Sequence, residues 1–275
     1  MNRLSLSDRA KILHCLVEGN SMRATSRLCD VSINTVTKLL VDTGFACSIY
    51  QNEMLRKLPC KRVQCDEIWS FCGSKQKNIP EGKEDSYGDV YTWTAICADT
   101  KLCASFLVGR RDVEHGHSFI ADLASRLSNR IQLSTDGLKI YVNAVEAAFG
   151  SEIDYGMLIK HYANPEETKG TTRRYSPSDF VKAEKSRIAG DPDFKEISTS
   201  YVERQNLTMR MSMRRFTRLT NGFSKKMQNL ECAVALHFMY YNFGRIHKSL
   251  RVTPAMEAGI AQHVWTLEQV AALAD

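Results

Sequence analysis

Near the start of the chain, apolar residues recur at helical spacing. Ile12, Leu13, Leu16 and Val17 share one face of a first helix, which Ser7 can cap and Gly19-Asn20 ends. Ser21 caps a second helix that carries Met22, Ala24, Thr25 and Leu28. After a tight turn at Asp30-Val31-Ser32, a third is expected from about Asn34 to Val41, with Val36, Leu39 and Leu40 facing inward. The periodicity then lapses, and residues 47–60 read as a linker.

From Arg62 the pattern changes to that of strands. Arg62–Cys72, Val90–Ala98 and Ala104–Gly109 are predicted strands, the last two joined as a hairpin through Asp99-Thr100-Lys101-Leu102. A helix is expected over Glu114–Leu127, a strand over Ile131–Thr135, a helix over Tyr141–Phe149 and a strand over Met157–Tyr162. Residues 163–199 show weak periodicity and many Lys, Glu, Pro, Gly and Ser, and read as a flexible insert. A long helix from Ser200 to about Arg218 and a very apolar one over Leu230–Tyr241 follow, then short helices after Pro254 and Thr266. Strands followed by helix-strand-helix-strand predict an α/β domain with a mixed sheet flanked by helices. The expected division is a helical head over 1–46, the linker, a catalytic domain over 61–252 and a helical tail over 253–275.

The three N-terminal helices have the outline of a helix-turn-helix, whose second helix enters a major groove. Ser32, Asn34, Thr35, Thr37 and Lys38 would be its exposed positions, short polar or basic side chains suited to base edges and phosphates. A plain three-helix packing module has the same apolar pattern.

Charge adds to this. The net charge is +6, yet Arg204, Arg210, Arg214, Arg215, Arg218, Lys225 and Lys226 follow one another with no acidic residue between them. These seven positive charges leave the rest of the chain near −1, so the excess is local, as on a surface that meets phosphates. Nine cysteines are irregularly spaced, none with the two-residue gap of a zinc knuckle, and read as small buried hydrophobes. No apolar run approaches the roughly 20 residues of a membrane span, and a cytoplasmic protein is expected.

Three acidic positions are unusual. Asp66 and Glu67 lie inside a strand otherwise built from Val63, Cys65, Ile68, Trp69 and Phe71, where carboxylates are disfavoured. Adjacent strand residues point to opposite faces, so only one of the two is expected at a common site. Asp136 lies just past Ile131–Thr135, at the strand end where α/β sheets place ligands. Glu203 begins the basic helix and shares a face with Asn206, Arg210 and Arg214. Two carboxylates about 4 Å apart repel by roughly 4 kcal/mol at an effective dielectric near 20, and a divalent cation removes that repulsion.

The runs Asp66-Glu67-Ile68-Trp69-Ser70, Ser134-Thr135-Asp136-Gly137 and Tyr201-Val202-Glu203-Arg204-Gln205-Asn206 with Arg210 resemble the signature of the DDE transposases of bacterial insertion sequences. The resemblance implies an RNase H-like core with a mixed five-stranded sheet. It implies that Asp66, Asp136 and Glu203 are the catalytic and metal-binding triad, holding two Mg²⁺ or Mn²⁺ ions, with Asn206 and Arg210 in support. The stretch from Asn242 to Met256 resembles the family's C-terminal tail, in which Arg245 and His247 contact phosphate or serve packing. Expected partners are double-stranded DNA, as element ends and target, and further copies of the chain in a dimer or higher oligomer. DNA contacts are expected from Arg204, Arg214, Arg215, Arg218, Lys225 and Lys226. Rival readings are a DNA-binding regulator with a dead catalytic remnant, a nuclease that cuts without joining, and a cysteine-based metal or redox protein.

Overall fold

The computed structural model describes residues 4–162, 179–217 and 220–275. Helix α1 spans Leu6–Val17, and its N-cap is Ser5 rather than Ser7, with the Ser5 hydroxyl accepting from the Asp8 N–H. Ser21 caps α2 (Met22–Leu28), and Ser32 caps α3 (Ile33–Met54). The third helix is thus 22 residues long, and residues 47–54 of the expected linker are helical. The reason is packing. Gly44 lies inside α3 against α7 (Met227–Met239), where a Cβ would come 2.3 Å from the Cys232 carbonyl oxygen. The Gln51 side-chain amide donates to the Ala235 carbonyl at 3.0 Å. Tertiary contact, not local propensity, carries this helix onward.

The sheet has six strands: β1 (Arg62–Cys72), β2 (Gly88–Cys97), β3 (Cys103–Gly109), β4 (Ile131–Thr135), β5 (Ile153–Tyr162) and β6 (Phe180–Ala189). Their order is β3-β2-β1-β4-β5-β6. β1, β4 and β5 run parallel, while β2, β3 and β6 are antiparallel to their neighbours. This mixed sheet flanked by helices is compatible with an RNase H-like core. It has one strand more than the five expected. The extra strand, β6, lies in the stretch read as a flexible insert, of which residues 163–178 fall outside the described residues. It is an edge strand exposed along most of its length, so neither face is apolar and no alternation marks it.

Helices α4 (Val113–Arg126) and α5 (Ile140–Phe149) cover one sheet face. Phe119 and Tyr141 pack there against the buried Trp93. Helix α6 (Ser200–Ser212) lies on the other, next to the even-numbered side chains of β1. It is shorter than predicted: Met213 is extended, a single turn follows at Arg214–Phe216, and Phe216 is buried. A wide helical turn at Tyr240–Gly244 follows α7, then α8 (Pro254–Glu257) and α9 (Leu267–Ala272). One core runs from Ile12 through the sheet to Ala271. Helix α9 packs on α1, where the buried Arg9 pairs with Asp275 at 2.6 Å. All nine cysteines are free and seven are buried, as expected of small hydrophobes. No described helix is long and apolar enough to cross a membrane.

Candidate functional site

The strand order reverses between β1 and β4, and these two parallel strands separate early. Their pairing covers only Arg62–Gln132, Val63–Leu133 and Gln64–Ser134. Beyond it the two strands are no longer paired, at the carboxyl ends where α/β sheets bind ligands. Asp66, Glu67 and Asp136 come together there. One carboxylate oxygen from each lies within 4.8 Å of the others.

Glu67 therefore joins Asp66 at the site, against the expectation that strand alternation admits only one of them. The alternation itself holds. Asp66 faces α6, and Glu67 faces α5. The end of β1–β4 pairing leaves a gap into which both side chains reach. The Glu67 side chain is only 2% exposed, not solvent-facing. Its Oε1 accepts from Arg111 Nε at 2.6 Å, and its Oε2 accepts from the Tyr141 hydroxyl at 3.0 Å. Sequence reading assigned Arg111 and Tyr141 no part here. Both lie far from Glu67 along the chain, and no local pattern ties them to it.

Asp66 Oδ1 accepts from the Glu67 N–H at 2.9 Å, and Oδ2 accepts from Asn206 Nδ2 at 2.8 Å. Burial, then the neighbouring charges of Glu67 and Asp136, push its pKa up to about 7. Burial and Asp136 also raise Glu67, while Arg111 and Tyr141 pull it back. Asp136 Oδ1 accepts from the Leu138 N–H at 3.0 Å, which turns the chain out of β4.

Helix α6 is docked by β1 itself. Its N-cap Thr199 makes no side-chain cap, and the Gln64 side-chain oxygen accepts instead from the Tyr201 N–H at 2.8 Å and the Val202 N–H at 3.3 Å. These are orphan donors of a helix start. The docking brings Asn206 onto Asp66 and sets Glu203 one turn away. Glu203 lies near enough for its charge to help raise Asp66, yet it is not among the three converging carboxylates. It pairs with Lys160 of β5 and accepts from Thr199 Oγ1 at 2.5 Å. Arg210 is half-buried on the same helix.

The donor set suits a hard divalent cation. Three carboxylates supply oxygen ligands, and their mutual repulsion is what a cation relieves. Asn206 Oδ1 is buried without a hydrogen-bond partner among the described residues, and it lies beside Asp66. An acceptor so placed fits a water or cation at the cluster.

The predicted DNA contacts are scattered. Ser32, Asn34 and Lys38 are exposed, while Thr35 and Thr37 are half-buried. Ser32 is engaged as the α3 cap, Thr37 donates to the Ile33 carbonyl, and Lys38 pairs with Asp42 at 2.6 Å. Arg204, Arg214, Lys225, Lys226 and Arg245 are exposed. Arg215 is half-buried, its Nε donates to Ser224 Oγ at 2.8 Å, and burial lowers its pKa to about 10. His247 Nδ1 contacts Ser249 Oγ, and burial with Lys101 and Arg245 lowers its pKa. Arg218 lies outside the described residues.

No protein-family model and no curated protein match the chain. Among solved structures, it is similar to the crystal structure of the Mos1 strand transfer complex. The identity is 12%, over 86% of this chain and 80% of that one, with a TM-score of 0.25. A TM-score that low leaves the functional reading to the residues themselves.

Proposed function

We propose that this chain is a transposase of the DDE kind, which cuts DNA at the ends of a mobile element and joins them to a target. The observation that carries the reading is the convergence of Asp66, Glu67 and Asp136 within 4.8 Å at the split between β1 and β4. The motif order Asp66, Asp136, Glu203 supports it, as does Glu203 on a helix that β1 itself docks.

Asp66 and Asp136 would hold Mg²⁺ or Mn²⁺, with Glu203 completing the set for two ions. When bound, such ions activate the attacking oxygen and stabilise the leaving oxygen of a phosphodiester. Asn206 fixes the Asp66 carboxylate, and Arg111 and Tyr141 fix Glu67. Glu203 must leave Lys160 to serve as a ligand, and the freed ammonium is then available to a phosphate. The first three helices would read the element end through the start of α3. The exposed cations from Arg204 to Lys226 would grip the backbone. The partner is double-stranded DNA, with further copies of the chain.

The test is nicking and strand transfer on a plasmid bearing the DNA that flanks the gene, with Mg²⁺ or Mn²⁺. Asp66→Ala, Asp136→Ala and Glu203→Ala should each abolish both reactions and leave DNA binding intact. Full activity in any of the three would end the assignment.

A further inference from the structure

The odd-numbered side chains of β1 form a row that does not stop at the carboxylates. Val63 and Cys65 are fully buried, and Glu67 stands at the cluster. Trp69 and Phe71 continue the row outward. Trp69 is 39% exposed, a large aromatic left open at the rim of a site. Its ring centroid lies 5.8 Å from that of Phe71, and Phe71 stacks on Phe223 at 4.7 Å. The exposed Lys75 places its ammonium 5.8 Å from the Trp69 ring and 6.0 Å from Phe71.

The neighbourhood is cationic. The stack is pinned by the Gly73 N–H donating to the Ser224 carbonyl at 2.8 Å, which brings the exposed Lys225 and Lys226 to the outer end of β1. Opposite Trp69 in the register is Tyr91, with the Arg111 guanidinium 5.7 Å from its ring centroid. Of the nearby acids, Glu67 is paired with Arg111, Asp89 accepts from the Gln76 N–H at 3.2 Å, and Glu231 lies close to Cys72, against the four cations Lys75, Arg111, Lys225 and Lys226.

We infer that Trp69, Phe71 and Phe223, with Lys75, form a platform on which an unpaired DNA base stacks beside the carboxylate cluster. This rests on the transposase reading for its place in the reaction. Flat aromatic faces bordered by cations match single-stranded nucleic acid, whose bases offer π faces and whose backbone is anionic. In a duplex those faces are covered by neighbouring bases. The platform therefore selects a strand end that has been opened next to the bond to be cut.

The test is binding of a labelled single-stranded oligonucleotide to the full chain in EDTA, by fluorescence anisotropy, against the same oligonucleotide with abasic positions. The wild-type chain should prefer the base-bearing strand by roughly ten- to a hundred-fold. Trp69→Ala should lose that preference and still bind the abasic strand as the wild type does, and Trp69→Phe should keep most of it. Phe223→Ala should weaken it in the same sense. Equal binding of the two strands by the wild type overturns the platform. So does an unchanged preference in Trp69→Ala, or a Trp69→Ala effect confined to self-association. No metal or cleavage enters this assay, so an inert carboxylate cluster and an absent platform give separate results.

Discussion

Replacing Asp66 by Asn tests the carboxylate cluster where it is most strained. Unit charges 4.8 Å apart repel by about 3.5 kcal/mol at an effective dielectric near 20. The rise of the Asp66 pKa from 3.8 to about 7, caused first by burial and then by the charges of Glu67 and Asp136, corresponds to roughly 4 kcal/mol in all. The sign follows from proton counting. Between these two values the folded protein binds a proton that the unfolded chain has lost, so stability falls as pH rises through this window. The cost is absent below the unfolded value and complete above about 7. Asn at position 66 removes it, and sacrifices about 1 kcal/mol where the carboxylate accepted from Asn206. Near pH 8 in EDTA, Asp66→Asn should therefore be more stable than the wild type by about 3 kcal/mol, or roughly 6 °C in melting temperature. Near pH 4 the two should melt together. Millimolar Mn²⁺ should raise the wild type near pH 8 by a comparable amount and leave the variant unmoved. Thermal melts at four or five pH values, with and without metal, give every term. Parallel pH profiles for the two proteins, or a wild type indifferent to both Mg²⁺ and Mn²⁺, would refute the reasoning.

Three further outcomes are expected. Gly44→Ala drives a methyl into the Cys232 carbonyl and should lower stability by about 1 to 3 kcal/mol, read by urea unfolding. Lys160→Met frees Glu203 of its cation and should tighten Mn²⁺ binding several-fold by calorimetry. The double change Lys225→Ala with Lys226→Ala should reduce the slope of log affinity for duplex DNA against log salt by about 2.

The limits of β1 and β4 were legible to the residue because both are short apolar runs with clear breaks. Asp66 could be picked out because charge inside such a run is conspicuous, and Asp136 because it lies just past a strand's carboxyl end. Glu67 was discounted because alternation sends neighbouring side chains to opposite faces, whereas β1, still paired with β2, loses its β4 neighbour beyond Gln64, and there carboxylates from both faces converge. Helix α3 was cut short because the apolar periodicity lapses after Val41, whereas the missing Cβ of Gly44 admits another helix that carries it onward. β6 was invisible because an exposed edge strand buries neither face. Lys160 and Arg111 act through partners 43 and 44 positions away, and nothing in their own surroundings marks them.

The length of α3 has a mechanical consequence. At about 1.5 Å per residue, its 22 residues form a strut of roughly 33 Å. One end is the exposed turn at Ser32; the other half is bolted to α7 in the common core. A head mounted so cannot wander on a tether. On the proposed transposase reading, the number of base pairs between a sequence this head reads and the bond to be cut would then be a fixed gauge. Inserting a few base pairs there should swing the bond around the duplex and out of reach.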